Sequence, residues 1–243
     1  MDSSYRLSAI VISRQSYREN DSLVLVYAKE AGLLELPAKG TKKPSSKLAG
    51  HLEPITLAEI MAVRGRGRDY VASAIGRNSF LGLKADLNKL YYAGQGLKQL
   101  RALIRPRQPD PEIFALLLAW LEALDGWPVE TGREMSQEDG EIALAFFLLR
   151  LLDILGYRPQ IETCPHCQKP VLGEGRFDFL AGGLFHPECA NKGSGTYRLS
   201  QNSLHLIRFC LGQEISRARS IKAGRRLRQE VLGLARGLIA YSL

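Results

Sequence analysis

Catalytic signatures are missing from this chain of 243 residues. It has no G-x-x-x-x-G-K-[ST] loop, no G-x-S-x-G turn, and no paired acids beside a histidine suited to ligate a metal. Cysteine is scarce, with four residues, and Cys210 lies in an apolar run where a thiol is an inert core group. We therefore expect that the protein is not an enzyme.

Long apolar segments are also missing. Ile113 to Leu124 and Ile142 to Leu155 are too short to span a bilayer, and the second carries Arg150 and Asp153. The start MDSSYRLSAIVIS lacks the basic and apolar regions of an export signal. These absences predict a cytoplasmic protein without a membrane partner.

Acidic residues are depleted at both ends of the chain. Residues 1–80 hold 12 cations and 8 anions, residues 81–160 hold 9 and 11, and residues 161–243 hold 12 and 6. Segregated positive charge favours a polyanionic partner, nucleic acid first and an acidic membrane surface second. A merely solvated basic surface is the alternative.

The stretch from Cys164 to Cys189 carries the strongest motif. Cys164-Pro-His-Cys167 and His186-Pro-Glu-Cys189 are two ligand-x-x-ligand knuckles separated by eighteen residues. Three thiolates and one imidazole at this spacing suit one tetrahedral zinc ion. Four protein ligands fill the coordination shell, so we predict a structural zinc site.

Three other interpretations of this stretch stay open. Disulfides are disfavoured by the apolar surroundings of Cys210 and the missing export signal. A zinc deaminase would have H-x-E before C-x-x-C, whereas His186-Pro-Glu188 follows it. The motif could also have lost its metal, and His166 could substitute as a ligand, although a residue inside a knuckle usually points away.

Residues 1–80 read as β structure. Alternation from Tyr5 to Val11 has the period of a half-buried strand, and four more strands are predicted at Leu23–Tyr27, Leu33–Ala38, Leu52–Val63 and Tyr70–Ile75. Five short strands avoid exposed edges by closing, so we predict an OB-fold β-barrel that binds nucleic acid.

Two cationic loops interrupt these strands. A solvated loop is the alternative for each, but together they favour phosphate contacts, with Tyr17 or Tyr70 as candidates for base stacking if they are not core residues. The predicted DNA-binding residues are Arg14, Lys39, Lys42, Lys43, Lys47, Arg64, Arg66 and Arg68.

Residues 81–243 show a helical period and predict an all-α domain with a zinc-binding insertion at about 160–198. Asp110 and Ser136 are predicted N-caps, Phe146 to Leu155 a buried helix, and Gly156 its end. The overall fold class is therefore α+β and multidomain.

A second basic face is predicted opposite the apolar stripe of the last helical region. It offers a second nucleic-acid contact or a site for an acidic partner tail, with a solvated helix face as the alternative. Its residues are Arg217, Arg219, Lys222, Arg225, Arg226 and Arg228.

Three stretches of the sequence occur together: PAKGTKKPSS from Pro37, LLRLLDILGYRP from Leu148, and GGLFHPEC ending at Cys189. Through these stretches the chain resembles the RecO family of bacterial recombination mediators over essentially its full length. Family members often have cysteine where this chain has His186, which also ligates zinc.

The resemblance implies an OB-fold domain and a helical domain with zinc, acting in DNA repair, homologous recombination and the response to DNA damage. It implies binding of single- and double-stranded DNA, strand annealing, and loading of recombinase onto DNA coated by single-strand-binding protein. The implied partners are RecR, the acidic tail of single-strand-binding protein and, indirectly, RecA, at the nucleoid. From the residues alone, an RNA-binding OB-fold protein of translation or ribosome assembly and a zinc enzyme stay open.

Overall fold

The computed structural model describes residues 4–129, 133–190 and 196–242. It divides into two compact units. The barrel unit comprises Met1–Leu81 with Ile104–Leu118, and the helical unit comprises Gly82–Leu103 with Ala119–Leu243. The predicted α+β organisation, a strand-rich N-terminal part before a helical C-terminal part, is confirmed at this level.

Five strands form the barrel unit: β1 (Ser4–Ser16), β2 (Ser22–Ala28), β3 (Gly32–Ala38), β4 (Leu57–Val63) and β5 (Tyr70–Asn78). They close in the order β1-β2-β3-β5-β4. The long β1 makes closure possible, because residues 4–10 pair with β4 and residues 9–16 pair with β2. A parallel bridge between Ala38 and Val71 joins β3 to β5, so neither strand keeps an open edge there.

Small and branched side chains fill the barrel. Because strand side chains alternate between faces, every second residue points inward. The inward set includes Leu7, Ala9, Val11, Val24, Val26, Ala28, Leu34, Leu36, Ala38, Ala58, Ile60 and Ala62.

The predicted strand Leu52–Val63 is wrong in its first part. Residues Gly50–Leu52 form a 3₁₀ turn, and Ile55 has a φ of 57°. A β-branched residue in the left-handed region interrupts extended structure, so β4 begins only at Leu57.

The segment after residue 104 packs against the β2–β3 turn of its own unit. Gly32 has a φ of 68°, and a Cβ atom there would lie 2.3 Å from the carbonyl oxygen of Gln108. The Arg107 backbone N–H donates to Leu33 O at 3.0 Å. Glycine at position 32 therefore permits both the turn and this close approach.

The helices are α1 (Leu81–Lys84), α2 (Leu87–Leu103), α3 (Pro111–Asp125), α4 (Gln137–Ile154), α5 (Gln201–Gly212) and α6 (Arg225–Ser242). The predicted caps are confirmed, because Asp110 accepts the backbone N–H of Glu112 and Ser136 accepts that of Asp139. Gly156 has a φ of 85° after the end of α4.

Helix α4 is the centre of the helical unit. It packs against α2, α5 and α6, and its side chains from Ile142 to Leu149 are all buried. A helix that is apolar on all sides is stable only when it is surrounded, as the sequence predicts for this segment. None of the helices in the described residues combines the length and hydropathy that crossing a bilayer would need.

The segment between α4 and α5 forms a small sheet. Its strands are β6 (Gly175–Asp178), β7 (Gly183–Phe185) and β8 (Tyr197–Leu199), in the order β7-β6-β8. It is attached to α6, where Tyr197 donates to Gln229 O at 3.0 Å and Phe179 stacks on Tyr241 with ring centroids 5.2 Å apart. Such a sheet buries few side chains of its own, so attachment and cross-linking must stabilise it.

Candidate functional site

The four predicted zinc ligands lie together in the structure. One ligand atom each from Cys164, Cys167, His186 and Cys189 lies within 4.8 Å of all the others. Zinc–sulfur bonds of about 2.3 Å place tetrahedral ligands roughly 3.8 Å apart, so this cluster fits a zinc-sized ion after small adjustments. Soft thiolates and an imidazole are also the donors that zinc prefers.

Each knuckle is a hydrogen-bonded turn. In the first, Gln168 N–H donates to Cys164 O and Cys164 N–H donates to Lys169 O, both at 2.9 Å. In the second, Cys189 N–H donates to His186 O at 3.0 Å. Gln168 has a φ of 59°, which reverses the chain directly after the first pair of ligands. These turns point both side chains of each knuckle at one place.

His186 is oriented for metal binding by its second ring nitrogen. Its Nε2 lies 3.1 Å from Pro170 O, whereas its Nδ1 faces the cluster at 3.3 Å from the sulfur of Cys167. A carbonyl can only accept, so Nε2 carries the proton and Nδ1 presents its lone pair. His166 is not a member of the cluster, which agrees with a residue that points away from its knuckle.

The sulfur atoms differ in acidity. Burial opposes ionisation of Cys164, but hydrogen bonds from the backbone of Cys167, His186 and His166 outweigh it and lower its pKa to about 6. Burial, followed by hydrogen bonds to the neighbouring sulfurs, raises the pKa of Cys189 to about 11. One thiolate is thus available near neutral pH, and a bound cation would complete the deprotonation of the others.

Cys210 is separate from this cluster. It is buried in α5, and burial raises its pKa to about 12. All four cysteines are free thiols in the structure. The predicted inert core position is confirmed by the burial of Cys210.

The two cationic loops of the barrel unit meet beside the Ala38–Val71 bridge. Lys39 Nζ, at the start of the first loop, lies 5.2 Å from the ring centroid of Tyr70, which ends the second. A cation over an aromatic face is a favourable contact that holds the two together. The bridge brings the loops side by side although 24 residues separate Lys39 from Arg64 in the sequence.

The first loop is held rigidly at its base. Gly40 N–H donates to the Asp21 carboxylate at 2.9 Å, and Thr41 Oγ1 donates to Ser22 Oγ at 2.7 Å. Lys42 Nζ donates to Arg18 O at 3.0 Å in the β1–β2 turn. This turn adds Arg18, a cation that the sequence interpretation missed. Its guanidinium lies over the exposed ring of Tyr17. Lys42 of the first loop and Arg18 of the β1–β2 turn are thereby placed on one surface.

The remaining predicted contacts of the loops are exposed. Arg68 pairs with Glu35 at 3.5 Å, but both side chains are about half exposed, so the pair is weak. Within the described residues, no ion pair holds Lys43, Lys47 or Arg66. We call this surface the loop surface; it comprises Arg18, Lys39, Lys42, Lys43, Lys47, Arg64, Arg66 and Arg68.

Arg14 is used inside the barrel unit. Its guanidinium donates to Ala49 O at 2.8 Å and to the Glu53 carboxylate at 2.6 Å. It therefore anchors the loop between β3 and β4 instead of presenting charge. We correct its assignment from phosphate contact to structural anchor, and exclude it from the loop surface.

The second basic face also needs correction. Its residues lie on a 3₁₀ helix (Ile215–Ser220), an irregular stretch, and the start of α6, not on one helix. Arg228 is buried and donates to Glu141 and Glu138 at 2.8 and 3.1 Å, so its prediction as an exposed cation is wrong. The helical spacing of the sequence could have predicted the burial of Arg228, because Val231, Leu232 and Ala235 lie on the same side of α6 and are buried.

The other members of this face are exposed. Arg219 donates to the backbone oxygens of Glu122 and Ala123, and Arg226 pairs with Glu230 at 2.9 Å. Among described residues, Arg217, Lys222 and Arg225 have no ion-pair partner. The exposed members of the predicted face are therefore Arg217, Arg219, Lys222, Arg225 and Arg226, and their role in binding stays a prediction.

Family models match nearly the entire chain. Recombination protein O N terminal matches residues 1–80, and Recombination protein O C terminal matches residues 84–243. The first match falls on the five strands, and the second contains the metal cluster and both ends of α4.

Curated relatives match over similar lengths. DNA repair protein RecO of Pelotomaculum thermopropionicum is 27% identical over 239 residues, which cover 98% of this chain and 89% of that protein. RecO of Symbiobacterium thermophilum is 29% identical over 98% of this chain and 91% of its own length. RecO of Rubrobacter xylanophilus is 33% identical over 76% of this chain and 71% of that protein. With both family models matched, the chain belongs to the RecO family, whose role is in DNA repair and recombination.

Proposed function

We propose that the protein is a recombination mediator that binds single- and double-stranded DNA through the loop surface of an OB-type barrel. The observation that carries this proposal is the contact between Lys39 and Tyr70, which joins two cationic loops into one surface. The division into a DNA-binding domain at 1–80 and a helical domain at 81–243 belongs to the same proposal.

The chemistry of the loop surface suits phosphates better than bases. Lysine and arginine side chains on loops neutralise the DNA backbone and release its counterions, which makes affinity depend steeply on salt. Tyr17 is 43% exposed and offers a ring for stacking that does not distinguish between bases. We therefore propose binding that is independent of sequence.

Fluorescence anisotropy with a labelled single strand tests this assignment. The double variant Lys42→Gln, Lys43→Gln should weaken binding and lower the slope of log affinity against log salt by about one per lost phosphate contact. Lys29→Gln is the matched control, because Lys29 is an exposed lysine in the β2–β3 turn, at the end of β3 away from Lys39. Equal slopes for the two variants would remove the loop surface from DNA binding.

We further propose strand annealing and recombinase loading. A protein that neutralises two strands at once lowers their mutual repulsion, and both units of this chain carry exposed cations. The family role in recombination supports loading of RecA, in partnership with RecR, onto DNA coated by single-strand-binding protein. Annealing measured with Lys39, Lys42 and Lys43 all changed to Gln should be slower, with the difference shrinking as salt rises.

The acidic tail of single-strand-binding protein is our proposed ligand for the second basic face. Arg225 and Arg226 lie exposed at the start of α6. Changing both to glutamate should weaken the binding of a tail peptide, whereas Arg236→Glu, an exposed position later on the same helix, should not. Unchanged affinity in the double variant would exclude this site for the tail.

One structural zinc ion is our proposal for the metal cluster. Four protein ligands fill the coordination shell, so the ion would cross-link this segment and leave no position for a reacting water. We accordingly propose a mediator without catalytic activity, acting in the cytoplasm on nucleoid DNA.

A further inference from the structure

We propose that a cleft on the barrel unit holds one unstacked nucleotide of a bound single strand. The cleft has a volume of about 560 Å³ and is lined by β1, the β2–β3 turn, the β4–β5 loop and residues 107 and 109. Pockets of a few hundred Å³ are the size that small ligands occupy. The inference rests on the proposed DNA binding and adds a subsite that shares Arg64 with the loop surface and contributes Arg6 and Arg107 of its own.

Three guanidinium groups line this cleft. Arg6 and Arg107 are exposed and have no ion-pair partner among the described residues, and Arg64 lies over the ring of Tyr5 at 5.9 Å. Arg64 and Arg107 line the same cleft as Tyr5, so these positive charges converge on one place. Guanidinium groups match the geometry of phosphate oxygens, so the convergence predicts a phosphate position.

The acids of the cleft have internal partners. Asp69 accepts the Tyr5 hydroxyl at 2.7 Å, and Glu30 accepts the backbone N–H of Ser8 at 3.0 Å. These bonds fix the ring of Tyr5 and leave each carboxylate with a further oxygen that can accept from the amino group of a base. The exposed Pro109 supplies an apolar surface for the base, and the buried side chains of Leu7 and Leu34 form the floor of the cleft beneath it.

Arg107 is held in an uncommon backbone conformation at this place. Its φ of 58° lies in the left-handed region, and its backbone N–H is fixed by Leu33 O at 3.0 Å. Residues other than glycine rarely adopt that region, and here the close packing of Gln108 against Gly32 holds the chain in it. The strain is consistent with a chain path that aims Arg107 into the cleft.

A duplex does not fit this arrangement. Its bases are stacked and paired, so a base cannot enter the cleft without being flipped out, and the phosphates of a duplex stay outside the cleft. The cleft should therefore contribute to single-strand affinity more than to duplex affinity. This difference separates the cleft from the loop surface, which contacts only backbone and serves both.

Anisotropy with a labelled single strand and a labelled hairpin duplex tests the proposal in the full-length chain. Arg107→Asn removes the charge while keeping a residue that tolerates the left-handed conformation. Arg105→Asn is the control, since Arg105 is an exposed arginine two residues away that does not line the cleft. We expect Arg107→Asn to lower single-strand affinity about tenfold, as for one charged hydrogen-bonded contact, and Arg105→Asn much less. The two variants should lower duplex affinity alike.

Titration with deoxythymidine monophosphate, followed by NMR, separates the cleft from the loop surface. Chemical shift changes at cleft residues of the wild type that are absent in Arg107→Asn would support a nucleotide site in the cleft, even if the protein bound no DNA strand. Two results would overturn it: equal single-strand affinities of Arg107→Asn and Arg105→Asn when the wild type binds the strand, or no nucleotide-dependent chemical shift changes at the cleft in the wild type. Either could occur while the loop surface still binds DNA.

Discussion

The guanidinium of Arg228 donates to the carboxylate of Glu141 at 2.8 Å, although the two residues are 87 positions apart in the sequence. The same guanidinium reaches Glu138 and the backbone oxygen of Ala223. The arginine side chain is only 7% exposed, so the ion pair ties the start of α6 to the first turns of α4. Its role is internal to the helical unit.

Arg228→Met should destabilise the protein by about 3 kcal/mol, because it leaves the largely buried carboxylate of Glu141 without its cation. Urea denaturation followed by circular dichroism measures this loss. Arg225→Met is the control, since Arg225 is exposed three residues earlier on the same helix, and its change should stay within about 0.5 kcal/mol. Similar losses for both variants would contradict the buried ion pair.

Local features of the structure could be predicted from the sequence, and long-range ones could not. The caps at Asp110 and Ser136 and the two metal knuckles depend on residues within a few positions of one another. The roles of Arg14 and Arg228 depend on Glu53 and Glu141, which are distant in sequence. A run of cations therefore looks like a solvated surface until its partners are located.

The same limit applies to the cleft of the barrel unit. Arg6 and Arg107 lie about a hundred residues apart, and only the pairing of residue 107 with Leu33 brings the second arginine to the strands. The sequence on either side of Arg107 does not predict that this residue belongs to the barrel unit. The number of predicted strands indicates a closed barrel, but the sequence does not predict which strands pair.

Two glycines of α2 should respond oppositely to substitution. A Cβ atom at Gly96 would lie 2.1 Å from the ring of Trp120, which is fully buried and stacked on Phe147 with centroids 4.1 Å apart. Because that ring cannot move aside, Gly96→Ala should cost about 2 kcal/mol through overpacking. At Gly94 nothing lies within 4 Å, so Gly94→Ala should stabilise by about 0.5–1 kcal/mol through higher helix propensity.

Thermal and urea denaturation of these two single variants provide the measurement. The substitutions are chemically identical and separated by one residue, so propensity contributes equally to both. The difference between them isolates contact with Trp120. Equal effects would show that the indole ring does not occupy this space.

Glu230 should make stability depend on acid pH. Burial opposes its ionisation, but hydrogen bonds from Ser203 and Ser200 and the Arg226 guanidinium outweigh burial and lower its pKa to about 2 from 4.5. The unfolded chain binds the proton more tightly than the folded one. Glu230 therefore stabilises the fold fully above about pH 4.5, and this contribution is lost as the pH falls towards 2.

Comparison of wild type with Glu230→Gln tests this expectation. At pH 6 the variant should be less stable by about 2 kcal/mol, and the gap should narrow progressively as the pH falls from 4.5 towards 2. Ser203→Ala, which removes a buried hydroxyl donor to Glu230, should narrow the same gap. Curves that stay parallel over this range would contradict the assignment.

Metal removal should affect the zinc segment before the barrel. The sheet β7-β6-β8 has few buried side chains, and the clustered ligands flank β6 and β7, with Cys164 and Cys167 before β6 and His186 and Cys189 after β7. The positive charge of the metal stabilises the closely spaced sulfur atoms as thiolates. Without the metal this stabilisation is lost, together with the folding free energy that metal binding supplies. Chelation should therefore increase protease cleavage within residues 160–199 while the far-ultraviolet signal of the strands persists.

The ligand variants separate a metal site from a hydrogen-bonded turn. Cys167→Ala and His186→Ala should lose the bound zinc measured by mass spectrometry, whereas His186→Cys should keep one ion per chain because a fourth thiolate completes the same tetrahedron. His166→Ala is the control inside the first knuckle, and it should also keep the ion because His166 lies outside the cluster. The expected results depend on the observed arrangement, in which the sulfur of Cys167 lies 3.3 Å from His186 Nδ1. Zinc retained in Cys167→Ala, or lost in His166→Ala, would require a different ligand set.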